Sequence, residues 1–114
     1  MNLSALLQEI RAFRDERDWS QFHNAKDMAA AIAIEASELQ ELFLWKTGEE
    51  IGEATRKKRA QIEEEVADIA VYLFELSDSL GIDLERAIIA KLAKNAIKYP
   101  ADKARGTSKK YTDL

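Results

Sequence analysis

The chain has 114 residues, 46% hydrophobic and 33% charged, with a net charge of −4. That suits one domain, apolar enough for a core and too charged for a membrane protein. The lack of cysteine excludes disulfides, zinc–thiolate sites and thiol nucleophiles, and the acidic balance gives no general reason to bind polymeric nucleic acid. No apolar run approaches the ~18 residues that a bilayer span needs. The opening MNLSALLQEIRAF has no secretory apolar block. A soluble, cytoplasmic protein without membrane attachment is expected.

Hydrophobic spacing predicts four helices and no strand. The first covers 3–17, with Leu3, Leu6, Leu7, Ile10 and Phe13 on one face. Residues 18–25 form a loop rich in ring side chains, Trp19, Phe22 and His23. The second helix covers 26–46, with Asn24 or Ala25 near its start and Gly48 beyond its end. Residues 47–53 hold two glycines and read as a polar connection. The third helix covers 54–80. Its Ile62, Val66, Ile69, Leu73, Leu76 and Leu80 alternate in steps of four and three, the pattern of a bundle seam. Gly81 ends it, and Asp83 can cap a fourth helix over 84–98 that turns Leu84, Ile88 and Leu92 inward and stops at Pro100.

A basic tail follows, from about 99 to 114. From Lys98 onward, Lys98, Lys103, Arg105, Lys109 and Lys110 face only Asp102 and Asp113, so the tail could reach a phosphate-bearing ligand. The expected fold is all-α, a four-helix bundle in a single domain, 1–114. Ala29, Ala30, Ala33, Phe43, Leu44 and Phe74 cannot all face one core. A homo-oligomer is therefore expected, a symmetric dimer or a dimer of dimers.

Two carboxylate pairs share one spacing: Glu35 with Glu38, and Glu65 with Asp68. At i, i+3 the members of a pair project to nearly the same side of a helix. Glu35 lies seven residues from Met28 and from Leu42, and Glu38 seven from Ala31 and from Trp45. Asp68 sits beside the Val66/Ile69 seam, and Lys91 and Asn95 follow Leu84 and Ile88 by seven. Polar groups thus border inward positions on three helices. Acids gathered beside a core are unfavourable unless a cation holds them. Four oxygen ligands, no cysteine and one histidine point to Mg²⁺ or Mn²⁺ rather than zinc or copper. The histidine does not follow a glutamate by three, which disfavours a carboxylate-bridged iron bundle. No glycine-rich phosphate loop or EF-hand loop is present. The alternative is a helical interaction module whose acids are surface charge.

The pattern E-x-x-E, about 26 residues, then E-x-x-D resembles the MazG-like all-α nucleoside triphosphate pyrophosphohydrolases. The runs RDWSQFH, EASELQELFLWKT, EEVADIAVYL, KLAKNAIKYP and KARGTSKKYTDL resemble the dCTP pyrophosphatase branch over nearly the whole chain. The resemblance implies Mg²⁺-dependent hydrolysis of a nucleoside triphosphate to the monophosphate and pyrophosphate. It implies metal binding by Glu35, Glu38, Glu65 and Asp68. Trp19, His23 and Trp45 would line the base and sugar pocket, with Tyr72 and Asn95 near the nucleoside. Lys91, Lys94, Tyr99, Arg105 and Lys109 would be candidates for the phosphates. Glu38 is expected to orient the attacking water, and neighbouring subunits are expected to share one site. Ala25-Lys26-Asp27 and Phe43-Leu44-Trp45 stand where close relatives often carry Pro-Arg-Asn and Phe-Gln-Trp. Both departures fall near the implied base pocket. A phosphoribosyl-ATP pyrophosphatase would share the bundle, but the tryptophan loop argues against it.

Overall fold

The computed structural model describes all residues from Met1 to Leu114. The chain is all-helical: α1 (Leu3–Glu16), α2 (Ala25–Glu41), α3 (Glu49–Lys57), α4 (Arg59–Ser79), α5 (Leu84–Lys98) and α6 (Ala101–Ala104), with single 3-10 turns at Ser20–Phe22 and Tyr111–Asp113. No helix is long and apolar enough to cross a membrane. The helices fall into two compact units, Met1–Gly81 and Ile82–Leu114.

In the first unit, short polar side chains set the starts of α1 and α2. Asn2 accepts from the Ala5 amide at 2.8 Å and opens α1. Asn24 accepts from the Asp27 amide at 2.9 Å, while its own amide donates to the Asp27 carboxylate at 2.7 Å. These bonds satisfy donors that a helix start leaves unpaired. Gly81, at φ 67°, supplies the left-handed residue that ends α4.

Three boundaries depart from the sequence expectation. The connection expected over 47–53 is largely helical, because α3 begins at Glu49. Its first turn carries Glu49 and Glu50 and its last turn Arg56 and Lys57, a charge order that suits the helix dipole. The third expected helix is two helices, broken at Lys58, where the backbone moves to φ −106°, ψ 23°. The second expected helix is also shorter. It ends at Glu41, and residues 42–45 form a turn that leaves Trp45 in the left-handed region at φ 64°.

Helix α4 packs mainly against α2, and also against α1 and α3. The apolar core is small: Ile10 of α1, Met28 of α2 at 2% exposure, and Ala54 of α3 are buried. The seam on α4 is only half used. Ile62, Ile69 and Leu76 are half-buried, whereas Val66, Leu73 and Leu80 are exposed, as are Leu6 and Phe13 of α1. The reason is chemical. Helix α4 turns Glu65, Tyr72 and Glu75 inward along with part of its seam, and a helix has room for one inward stripe.

The second unit contains α5, α6 and the tail. Asp83 accepts from the Arg86 amide at 3.1 Å and caps α5. Ile88 and Leu92, expected inward, are exposed, as are Ile89 and Ile97. The tail is ordered against the end of α5. The Tyr111 ring meets Tyr99 edge-on at 5.9 Å between centroids, and the Lys98 ammonium lies 4.8 Å from the Tyr111 ring centre.

Candidate active site

Helices α2 and α4 bring carboxylates of both pairs together. Glu35, Glu38 and Glu65 each place an oxygen within 4.8 Å of the others. Glu35 and Glu65 are half-buried and Glu38 is exposed. One buried oxygen on Glu35 and one on Glu65 have no hydrogen-bond partner. Buried carboxylate oxygens without donors are costly, and a cation held between them would satisfy both at once. The all-oxygen donor set suits a hard divalent ion. Asp68 stands outside this trio, but its charge reaches Glu35 and Glu65.

The electrostatics carry the mark of that crowding. Burial first, then the neighbouring Glu65 and Glu38, push the Glu35 carboxyl up to about 7. Burial also raises Glu65, with Glu38 and Asp68 adding to the effect. Without a cation, the cluster therefore keeps a proton near neutral pH. The Tyr72 phenol lies on the same stripe of α4. Burial raises it first, followed by the charges of Glu35, Glu75, Asp68 and Glu38.

The aromatic loop forms a second patch of the first unit. Trp19 meets Phe13 edge-on at 5.8 Å, and its ring centre lies 6.5 Å from that of His23. His23 Nδ1 lies 3.6 Å from an oxygen of Glu75. Glu75 was not among the residues expected from the spacing of the acid pairs. The signal was present, because Glu75 follows Asp68 by seven and Tyr72 by three on the same helix face. The structure does not bring Trp45 to this patch. The indole, expected seven residues beyond Glu38 on a continuous helix, lies past the end of α2, 88% exposed.

In the second unit, Lys91, Lys94 and Asn95 are on α5, with Asn95 half-buried and both lysines exposed. Tyr99 follows α5 and meets Tyr111 edge-on, and Arg105 and Lys109 are exposed in the tail.

Residues 30–114 match the model of the MazG-like family. The chain belongs to the MazG-like family. It is 41% identical to dCTP pyrophosphatase 1 of Rattus norvegicus, over 95% of this chain and 67% of that protein. It is 40% identical to dCTP pyrophosphatase 1 of Homo sapiens, over 95% of this chain and 67% of that protein. Among solved structures it is similar to a pyrophosphatase from Archaeoglobus fulgidus, with a TM-score of 0.82 and 38% identity, covering 86% of this chain and 92% of that one.

Proposed function

We propose that this chain, a nucleotide pyrophosphohydrolase, hydrolyses dCTP or a related or modified deoxynucleoside triphosphate to the monophosphate and pyrophosphate. Residues 1–114 work as one domain, in the cytoplasm, in housekeeping of the nucleotide pool. The cofactor is Mg²⁺, with Mn²⁺ able to replace it. The observation that carries the reading is the convergence of Glu35, Glu38 and Glu65, with two buried carboxylate oxygens lacking any other partner.

Glu35, Glu65 and Asp68 act as ligands, and Glu38 as both ligand and water-orienting base. When bound, the ion offsets polyphosphate charge and stabilises the pyrophosphate leaving group. Glu38, the exposed member of the trio, takes a proton from the attacking water. The water oxygen bonds to the α-phosphorus as the α–β bridging bond breaks. Trp19 stacks on the base, with Trp45 supplied by a neighbouring subunit, His23, Tyr72 and Asn95 border the nucleoside, and Lys91, Lys94, Tyr99, Arg105 and Lys109 receive the phosphates.

The working form is a homo-oligomer, dimer or tetramer, whose subunits complete one another's sites. Supporting this, Ile34, Val66 and Leu73 in the first unit, and Ile89, Leu92 and Ile97 in the second, are large apolar side chains left exposed.

A release assay over the canonical and several modified triphosphates, each with and without Mg²⁺, tests the proposal. Pyrophosphate should appear only with the ion and vanish in Glu38→Gln. Release of inorganic phosphate instead would show that a different bond is cut.

A further inference from the structure

Glu75 is the most deeply buried charged side chain of the molecule, at 4% exposure, and the acid cluster does not use it. It lies toward the C-terminal end of the inward stripe of α4, and its nearest titratable neighbour comes from the aromatic loop. His23 Nδ1 is 3.6 Å from Glu75 Oε2, with the two side chains only 14% and 5% exposed. The Nδ1 atom is itself buried and has no hydrogen-bond partner. At that distance the two groups face each other without a full hydrogen bond. Such pairs often close only when a site is filled. Arg14 adds a favourable positive charge nearby, although its guanidinium is already committed to Asp15 and Asp78.

We propose that Glu75 is a positioning residue that holds the proton of His23 on Nδ1 and so presents Nε2 as a bare hydrogen-bond acceptor to the nucleoside half of the substrate. In neutral imidazole, one nitrogen donates and the other accepts, and the partner of one decides the role of the other. A carboxylate can only accept, so an ionised Glu75 fixes the proton on Nδ1. Burial raises the Glu75 carboxyl overall and favours the acid, opposed by the charge of Arg14 and by that of His23 whenever the ring is protonated. The acceptor on Nε2 selects a ligand that offers a donor, either an exocyclic amine of the base or a sugar hydroxyl. This inference rests on the functional reading above for the identity of the ligand, but not for the state of the ring.

The chain has one histidine, so its ¹⁵N imidazole signals are unambiguous. A spectrum of the wild-type protein near pH 8 should show a protonated Nδ1 and a bare Nε2, the minor form of free imidazole. In Glu75→Gln, whose amide can donate as well as accept, that preference should be lost. A wild-type ring protonated on Nε2, or on both nitrogens, overturns the proposal. The kinetic test uses the same variant. Loss of one oriented hydrogen bond should raise KM for dCTP about tenfold and leave kcat within about twofold. The KM penalty should vanish for dUTP, which replaces the amine by a carbonyl, if the amine is the donor. It should vanish for the 2′,3′-dideoxy analogue if the 3′-hydroxyl is. A penalty that persists with both analogues overturns the acceptor role. Because the spectrum needs no turnover, an inactive chain would defeat the functional reading and leave this one standing.

Discussion

The Arg14 guanidinium and the Asp78 carboxylate, 64 residues apart in sequence, meet at 2.9 Å. Arg11, one turn earlier on α1, donates to the other oxygen of the same carboxylate through its Nε at 2.8 Å. Asp78 thus ties α1 to the end of α4 with both oxygens engaged, and at 18% exposure the joint is partly shielded from water.

Replacing that carboxylate should weaken the first unit. Asp78→Asn leaves Arg11 without its counter-charge and Arg14 with Asp15 alone, and should cost about 1.5–3 kcal/mol at neutral pH, the range for hydrogen bonds to charged groups. Hydrogen bonding to Arg11, then to Arg14, holds the Asp78 carboxyl below the usual carboxylate range. A lowered folded-state value means that the stabilisation is present above the unfolded value, 3.8, and fades as pH falls below it. Urea midpoints of wild type and Asp78→Asn should therefore differ at about pH 7 and converge toward about pH 3.

The acid cluster predicts the opposite pH trend for the metal-free protein. Glu35 is raised to about 7, so its contribution is favourable below its unfolded value of 4.5 and is lost as pH rises through about 7. In excess chelator, the melting temperature should fall from about pH 5 to about pH 8. Added Mg²⁺ should restore it more at the higher pH, because ligands must be deprotonated. Calorimetry near pH 6.5 in buffers of different ionisation enthalpy should detect proton release on binding.

Glu35→Gln should separate stability from activity. It removes one of the like charges that crowd the cluster, so the metal-free variant should melt no lower than wild type. Pyrophosphate release should drop by at least about 100-fold, since loss of groups that merely support a metal ligand already costs 10–100-fold. A melting scan in chelator and an initial-rate assay read the two effects.

Trp45 combines full exposure with a left-handed backbone. A bulky side chain there costs roughly 1–2 kcal/mol, which glycine would relieve. Trp45→Gly should hold or raise the melting temperature. If the indole stacks on the base, KM should rise by the equivalent of about 1–3 kcal/mol. In Trp19→Phe, the remaining emission should report Trp45 alone, long-wavelength when free and blue-shifted when nucleotide is added.

On an isolated subunit, a charge at the exposed Leu73 would change stability by little, within about 0.5 kcal/mol for an ordinary surface site. If Leu73 meets a second copy, Leu73→Glu should lower the mass measured by sedimentation.

Where a side chain makes the boundary, the boundary is legible in the sequence. Asn24 and Asp83 cap α2 and α5, and Gly81 ends α4. The break at Lys58 has no glycine or proline to mark it, so periodicity carries straight through. The end of α2 at Glu41 is similarly hidden, because Leu42, Phe43 and Leu44 prolong an apolar run up to Trp45. The i, i+3 spacing of the acid pairs puts Glu35, Glu38 and Glu65 where their oxygens meet. Glu75 carries a spacing signal, seven after Asp68 and three after Tyr72, but a lone glutamate between Phe74 and Leu76 reads as solvated charge until a histidine from another segment is seen against it.

The tether at Asp78 has a geometric corollary. Each residue of an α-helix advances the direction of its side chain by roughly 100°, so slipping α4 by one position would replace Glu65 with Val66 in front of Glu35. By pinning the far end of that rod to α1, the two arginines set its rotational phase. Loosening α1 should thus detune catalysis at a distance, with no residue of the acid cluster altered.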